Sequence, residues 1–229
     1  MKLGMMQPYF FPYIGYFQLI DTVDVYVIAD DLNFIKNGYI KKNSILDNGA
    51  PAMISLQLVG ASQNRLINEI EVGDNADKLL TGIQRRYAKA PYFKDTFSLL
   101  QTILLNDEKN LAKFLGHSLI KISDYLGIHT RFLYSSEIEK NSTLKFDARI
   151  IDVCKVVGAD HYINAIGGKE LYDKKHFEEE GIKLSFIDTD AITYRQFDKE
   201  FVSNLSIIDV MMFNSKKEIV LMLEKYRLV

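Results

Sequence analysis

Apolar and polar positions along this chain alternate between short apolar runs and spacings of three and four, and the alternation repeats over nearly the whole length. Residues 2–6 form a brief apolar run that reads as a buried strand. Gln7-Pro8 ends it, because proline has no N–H to give a central ladder. Pro12 stands where a helix can begin, since an N–H missing at the first helical position costs nothing. Tyr13, Ile14, Phe17 and Ile20 then recur at helical spacing. A second β-rich run covers 25–29 and stops at Asp30-Asp31. Strand, loop, helix and strand make a βαβ unit, which predicts parallel pairing with a right-handed crossover.

Further strands are expected over 52–58 and 67–72, joined by the polar turn Gly60-Ala61-Ser62-Gln63-Asn64. Helical spacing then runs over 75–89, 92–105 and 110–126, with Pro91 and Asn106-Asp107 as breaks and Gly127 as the stop. The pattern returns to strand over 130–134, to helix over 146–157 with Gly158 after it, and to strand over 161–164 and 183–187. Helices over 206–213 and 215–226 finish the chain. The whole predicts a single α/β domain over 1–229 with a Rossmann-like, mostly parallel sheet. The helical run 75–126 reads as an insertion into the middle of the chain, or a cap on its core.

Composition narrows the classes without choosing among enzymes. Hydrophobic residues make up 48% and charged residues 25%, enough for a packed core and a solvated surface, so disordered and fibrous classes drop out. A net charge of −2 gives no field to hold a polyanion, and no nucleic acid is expected as partner. Cys154 is alone, which forbids an internal disulfide and a cysteine-rich metal site and suits a reducing compartment. No apolar run approaches the roughly 20 residues of a membrane helix, and no signal-peptide pattern opens the sequence. A cytoplasmic protein without membrane insertion is expected.

The segment from Met6 to Asp31 carries the candidate chemistry. Aromatic residues, amides and two prolines crowd the loop after the first strand, and loops at the carboxyl ends of parallel strands line the ligand crevice of open α/β sheets. Phe10, Phe11 and Phe17 read as core. Gln7, Tyr9, Tyr13, Tyr16 and Gln18 are candidate ligand contacts, because polar groups at strand ends need partners. Asp30 and Asp31 are the candidate catalytic carboxylates, as a base or an amine-orienting group; a turn cap is the alternative for Asp30. Lys36 is the best placed of three nearby lysines to meet a phosphate, whereas Lys41 and Lys42 fit a solvated face. Gly167-Gly168, at a later strand end and before Tyr172, can let a phosphate or sugar approach the backbone, and a plain turn reads equally well. The four histidines show no metal-ligand spacing, Cys154 reads as a buried thiol, and Asp188, Asp190 and Asp198 share a polar loop. No metal site is expected.

The run Met6-Gln7-Pro8-Tyr9-Phe10-Phe11-Pro12-Tyr13-Ile14-Gly15-Tyr16-Phe17-Gln18-Leu19-Ile20 resembles the signature of the WbqC-like family. The resemblance continues through Asp30-Asp31, Phe34 to Asn43, Tyr87 to Phe93, Tyr162 to Tyr172 and Leu205 to Asp209, which adds Asn43 to the candidate contacts. It implies a place in bacterial surface-polysaccharide (O-antigen) synthesis, with transfer of glycine or a related acyl group to the amine of a nucleotide-linked sugar such as a dTDP-sugar. The donor would be ATP plus a free amino acid, or an acyl carrier. A non-catalytic sugar-binding or assembly module is a second expectation. A third is a nucleotidyltransferase-like ligase: Tyr13-Ile14-Gly15-Tyr16 is similar in position to the His-x-Gly-His turn of such enzymes, with Gly15 leaving room for phosphate at a helix N-terminus.

Overall fold

The computed structural model describes residues 1–229 except 198 and 199; Asp198 therefore lies outside the described residues. Lys2–Met6 (β1), Ile14–Thr22 (α1) and Val25–Ile28 (β2) form the expected βαβ opening. Between β2 and the next strand of the main sheet lie two small hairpins and three helices. The hairpins are Lys42–Asp47 (β3) with Ala50–Ser55 (β4), and Leu58–Val59 (β5) with Glu71–Val72 (β6). The helices are Ala76–Tyr87 (α2), Phe93–Leu104 (α3) and Leu111–Leu126 (α4). Arg131–Tyr134 (β7), Phe146–Val157 (α5), His161–Ala165 (β8), Lys174–Glu179 (α6) and Lys183–Thr189 (β9) return to βα alternation. Ile207–Phe213 (α7), Lys216–Leu223 (α8) and Tyr226–Leu228 (β10) complete the chain.

The main sheet has six strands in the order β10-β9-β8-β1-β2-β7. Its pairs are parallel apart from β9 with β10, so the mixed α/β architecture with a mostly parallel sheet stands. Counted by first use within this sheet, the strands read 3-2-1-4-5-6 from β7 to β10, the doubly wound order of Rossmann-like folds. The chain leaves β1 toward β2 on one side and comes back to β8 on the other. The edge between β1 and β8 is therefore the topological switch point.

Period-two alternation divides the core between the faces of the sheet. Leu3, Met5, Val25, Val27 and Ala29 pack with Ile150, Ile151, Val153 and Cys154 of α5 and Phe177 of α6. Tyr26, Ile28, Ile163 and Ile187 point the other way, into a cluster with α1, α2, α3, α4, α7 and α8. The helices expected over 75–126 thus share a core with α1, and the two hairpins precede them in the stretch between β2 and β7. Asn48-Gly49, with φ of 53° and 83°, makes the two-residue turn between β3 and β4 that a twisted hairpin favours.

Candidate functional site

A cleft of about 630 Å³ opens at the carboxyl ends of β1 and β8. Met5, Met6, Gln7 and Tyr9 come from the end of β1, Ala29 and Leu32 from beyond β2, and Asn164, Ala165, Gly167, Gly168, Leu171 and Tyr172 from β8 onward. Leu144, Lys145, Phe146, Arg149 and Ile150 form the remaining wall. Their presence follows from topology: α5 leaves β7 at the carboxyl edge and runs back to feed β8, so its first turns stand at the switch point. Five sequence candidates meet here: Gln7, Tyr9, Gly167, Gly168 and Tyr172. Burial first, then neighbouring phenols, raises the Tyr9 hydroxyl. Burial likewise raises Tyr172. Both phenols stay protonated at neutral pH and can donate hydrogen bonds.

The two aspartates lie beside this cleft and are fully engaged. Asp30, 1% exposed, accepts from the Ser136 backbone N–H at 2.9 Å and from the Ser136 hydroxyl at 2.6 Å. The Asn68 amide also donates to it, at 3.3 Å. It therefore ties β2 to the turn after β7 and to the hairpin region. Asp31 pairs with Lys140 Nζ at 2.8 Å and with the Arg149 guanidinium, which also donates to Ser135 Oγ at 3.3 Å. Burial alone would raise the Asp31 carboxyl. Hydrogen bonds from Lys140 and Ser135 and the charges of Arg149 and Lys140 outweigh it and hold the carboxyl below its ordinary value. A carboxylate so stabilised is a poor base. These contacts give both aspartates a holding role in the fold.

Several other candidates are committed to the fold. Gln18, fully buried, donates its amide to the carbonyls of Met222 at 2.8 Å and Lys225 at 3.0 Å, tying α1 to the end of α8. Tyr16 is 2% exposed, and its hydroxyl donates to the Gln7 carbonyl at 2.8 Å. Asn43 is 5% exposed and donates to the carbonyls of Phe10 at 3.2 Å and Phe11 at 2.8 Å. Phe11 has φ of 42°, and Ser206 Oγ donates to the same carbonyl at 2.7 Å. Asn43 and Ser206 thus fasten a left-handed turn, so the signature loop is locked from two distant parts of the chain. Lys36 is exposed on the turn before β3 and does not line the cleft.

Tyr13 faces a separate 470 Å³ depression with Thr189, Asp190 and Asn204. A methyl group on Gly15 would meet the Tyr13 ring and come within 2.7 Å of Thr189 Oγ1. The space over the first turn of α1 is therefore filled by the protein's own side chains. A larger cavity, 750 Å³, lies between the β3–β4 turn and the end of α2, away from the strand ends; there Arg86 is already paired with Asp47 at 2.8 Å. Among the described residues no group of three or more His, Cys, Asp or Glu side chains could hold a metal ion. Cys154 is buried, which pushes its thiol up to about 12. His161 sits at the opposite, amino end of β8 against Ser185 Oγ at 3.0 Å.

Sequence reasoning missed Arg149, Lys145, Phe146 and Asn164. Lys145 and Arg149 are four residues apart at the start of a helix that follows a sheet strand, a spacing that also describes an ordinary solvated face.

The chain is 26% identical over 215 residues to the uncharacterized protein Rv1507c of Mycobacterium tuberculosis, a match covering 92% of each chain. No solved structure matches it with significance. No helix among the described residues is long and apolar enough to cross a membrane. The model of the WbqC-like protein family matches residues 7–220, a span that holds nearly all of the signature loop, its clasp and most of the cleft lining, and the chain belongs to this family.

Proposed function

We propose that this protein is a cytoplasmic transferase that attaches an acyl group, glycyl foremost, to the amine of a nucleotide-linked amino sugar during surface-polysaccharide synthesis. The observation that carries the reading is the character of the switch-point cleft. It has an apolar floor from Met5, Met6 and Ile150, neutral donors in Gln7, Tyr9, Asn164 and Tyr172, and cations at one wall. Sites for small polar metabolites are built this way, with a few convergent polar groups on an apolar surface. A volume of about 630 Å³ suits a ligand the size of a nucleotide sugar.

Amide formation needs a donor with a leaving group, so the acyl group enters as an adenylate or a thioester. The amine attacks the acyl carbonyl; the new C–N bond replaces the C–O bond to AMP or the C–S bond to the carrier thiol, which departs, and the surplus proton on nitrogen passes to solvent. The protonated phenols of Tyr9 and Tyr172, which line the cleft, are the candidate donors to the negative charge that develops on the carbonyl oxygen. With Asp30 and Asp31 both occupied, the amine reacts from the fraction already unprotonated in solution.

The test is incubation with a dTDP-linked 4-amino sugar, glycine and ATP, or with a glycyl thioester, followed by mass spectrometry. The expected product is the sugar nucleotide carrying one additional glycyl residue. Binding of the sugar nucleotide without mass gain from any donor would replace the transferase with a module that presents the sugar to partner enzymes.

A further inference from the structure

Among the described residues, two cations and no carboxylate line the switch-point cleft, in a chain whose acidic residues outnumber the basic ones 30 to 28. Behind the wall Asp31 meets two cations, Lys140 and Arg149, and the neighbouring carboxylate of Asp30, whose partners are neutral, offsets their surplus. At the cleft itself the positive charge comes from Arg149 and the exposed Lys145. The Arg149 Nε is buried and has no hydrogen-bond partner among the described residues. Enclosed, that nitrogen is out of a ligand's reach; the attraction for an anion comes from the positive charge of the two lining side chains.

Two features of the wall add to this. Lys145 is the N-cap of α5 and no side chain caps that end, so the first N–H groups of a 12-residue helix stand at the cleft with the positive end of its dipole. Asp31 and Ser135 each accept from Arg149 Nη2 and hold the guanidinium, with its positive charge, at the cleft wall.

We propose that Arg149, braced by Asp31, and Lys145 together anchor a doubly charged phosphate group, with the uncharged body of the ligand along Met5, Met6 and Leu171. This rests on the reading of the cleft as the substrate site and adds the part of the substrate it grips, the diphosphate of the nucleotide-linked sugar. Asp31 then acts through Arg149 as a positioning residue.

Calorimetric titration with pyrophosphate and with dTDP tests the anchor. The wild-type protein binds both probes, more weakly as salt is raised. Lys145→Gln and Arg149→Lys each weaken both by about tenfold or more. Lys145 is exposed, so its substitution leaves folding untouched, and Arg149→Lys keeps the charge while removing the planar group that Asp31 and Ser135 hold in place. Unchanged affinity in either variant, or no binding of either probe by the wild type, overturns the anchor. Acyl transfer is read separately. Transfer with an unaltered KM for the sugar nucleotide in both variants sinks the anchor and leaves the transferase standing. Variant-sensitive dTDP binding without transfer from any donor supports the anchor and removes the transferase.

Discussion

Two consecutive aspartates follow β2, and the structure gives each its own set of donors. For Asp31 the consequence is measurable. Asp31→Asn leaves Lys140 and Arg149, whose side chains are only 5% and 14% exposed, without their carboxylate. The expected loss of unfolding free energy is about 3 kcal/mol at neutral pH. Because the folded-state value of Asp31 is lowered, its contribution is complete above the unfolded value and is lost as pH falls through the folded one. The stability gap between wild type and variant in urea titrations should narrow below about pH 4; a constant gap would mean that the carboxylate does not carry the effect. Phe146 makes a different point. Its φ is 51° and its side chain is 78% exposed at the cleft, a strained backbone under a bulky residue with no buried contact to repay it. Phe146→Gly should leave the melting temperature unchanged or raise it, while weakening dTDP binding several-fold. A drop of more than about 1 kcal/mol in stability would show that the ring supports the fold.

At the scale of elements, the periodic helices and parallel strands were legible. The stretches 75–89, 92–105 and 110–126 hold α2, α3 and α4, and 146–157 is α5, because apolar spacing and glycine stops act locally. Short extended pieces were not. The β3–β4 hairpin carries an Asn48-Gly49 turn, a strong signal, yet the expected strand over 52–58 covers only part of its second arm. The last expected helix, 215–226, is shorter, and β10 takes Tyr226–Leu228 by pairing with β9, a contact from far along the chain. Gln18 explains how that end is held: it fills the open carbonyls of Met222 and Lys225 after α8. Gln18→Ala should cost about 2 kcal/mol and speed amide exchange in Tyr226–Leu228 more than elsewhere in the sheet. Unaltered exchange there would separate α1 from the order of β10.

For the whole molecule, the doubly wound strand order brings Gln7, Tyr9, Gly167, Gly168 and Tyr172 to one rim from two distant parts of the chain. Strand ends followed by glycine or polar residues announced that much. The sequence could not say which polar side chains would be consumed by the fold, since burial of Gln18, Tyr16 and Asn43 depends on partners 9 to 207 residues away. Nor could it single out Arg149, whose role comes from Asp31 behind it, 118 residues earlier.

Hydrogen exchange in the presence of a dTDP-linked amino sugar addresses the cleft itself. The account predicts slower exchange at the amides of 145–149 and 165–168, with little change at 13–16 and 189–194. Protection confined to the Tyr13–Thr189 depression, with the 145–149 and 165–168 amides unaffected, would contradict it.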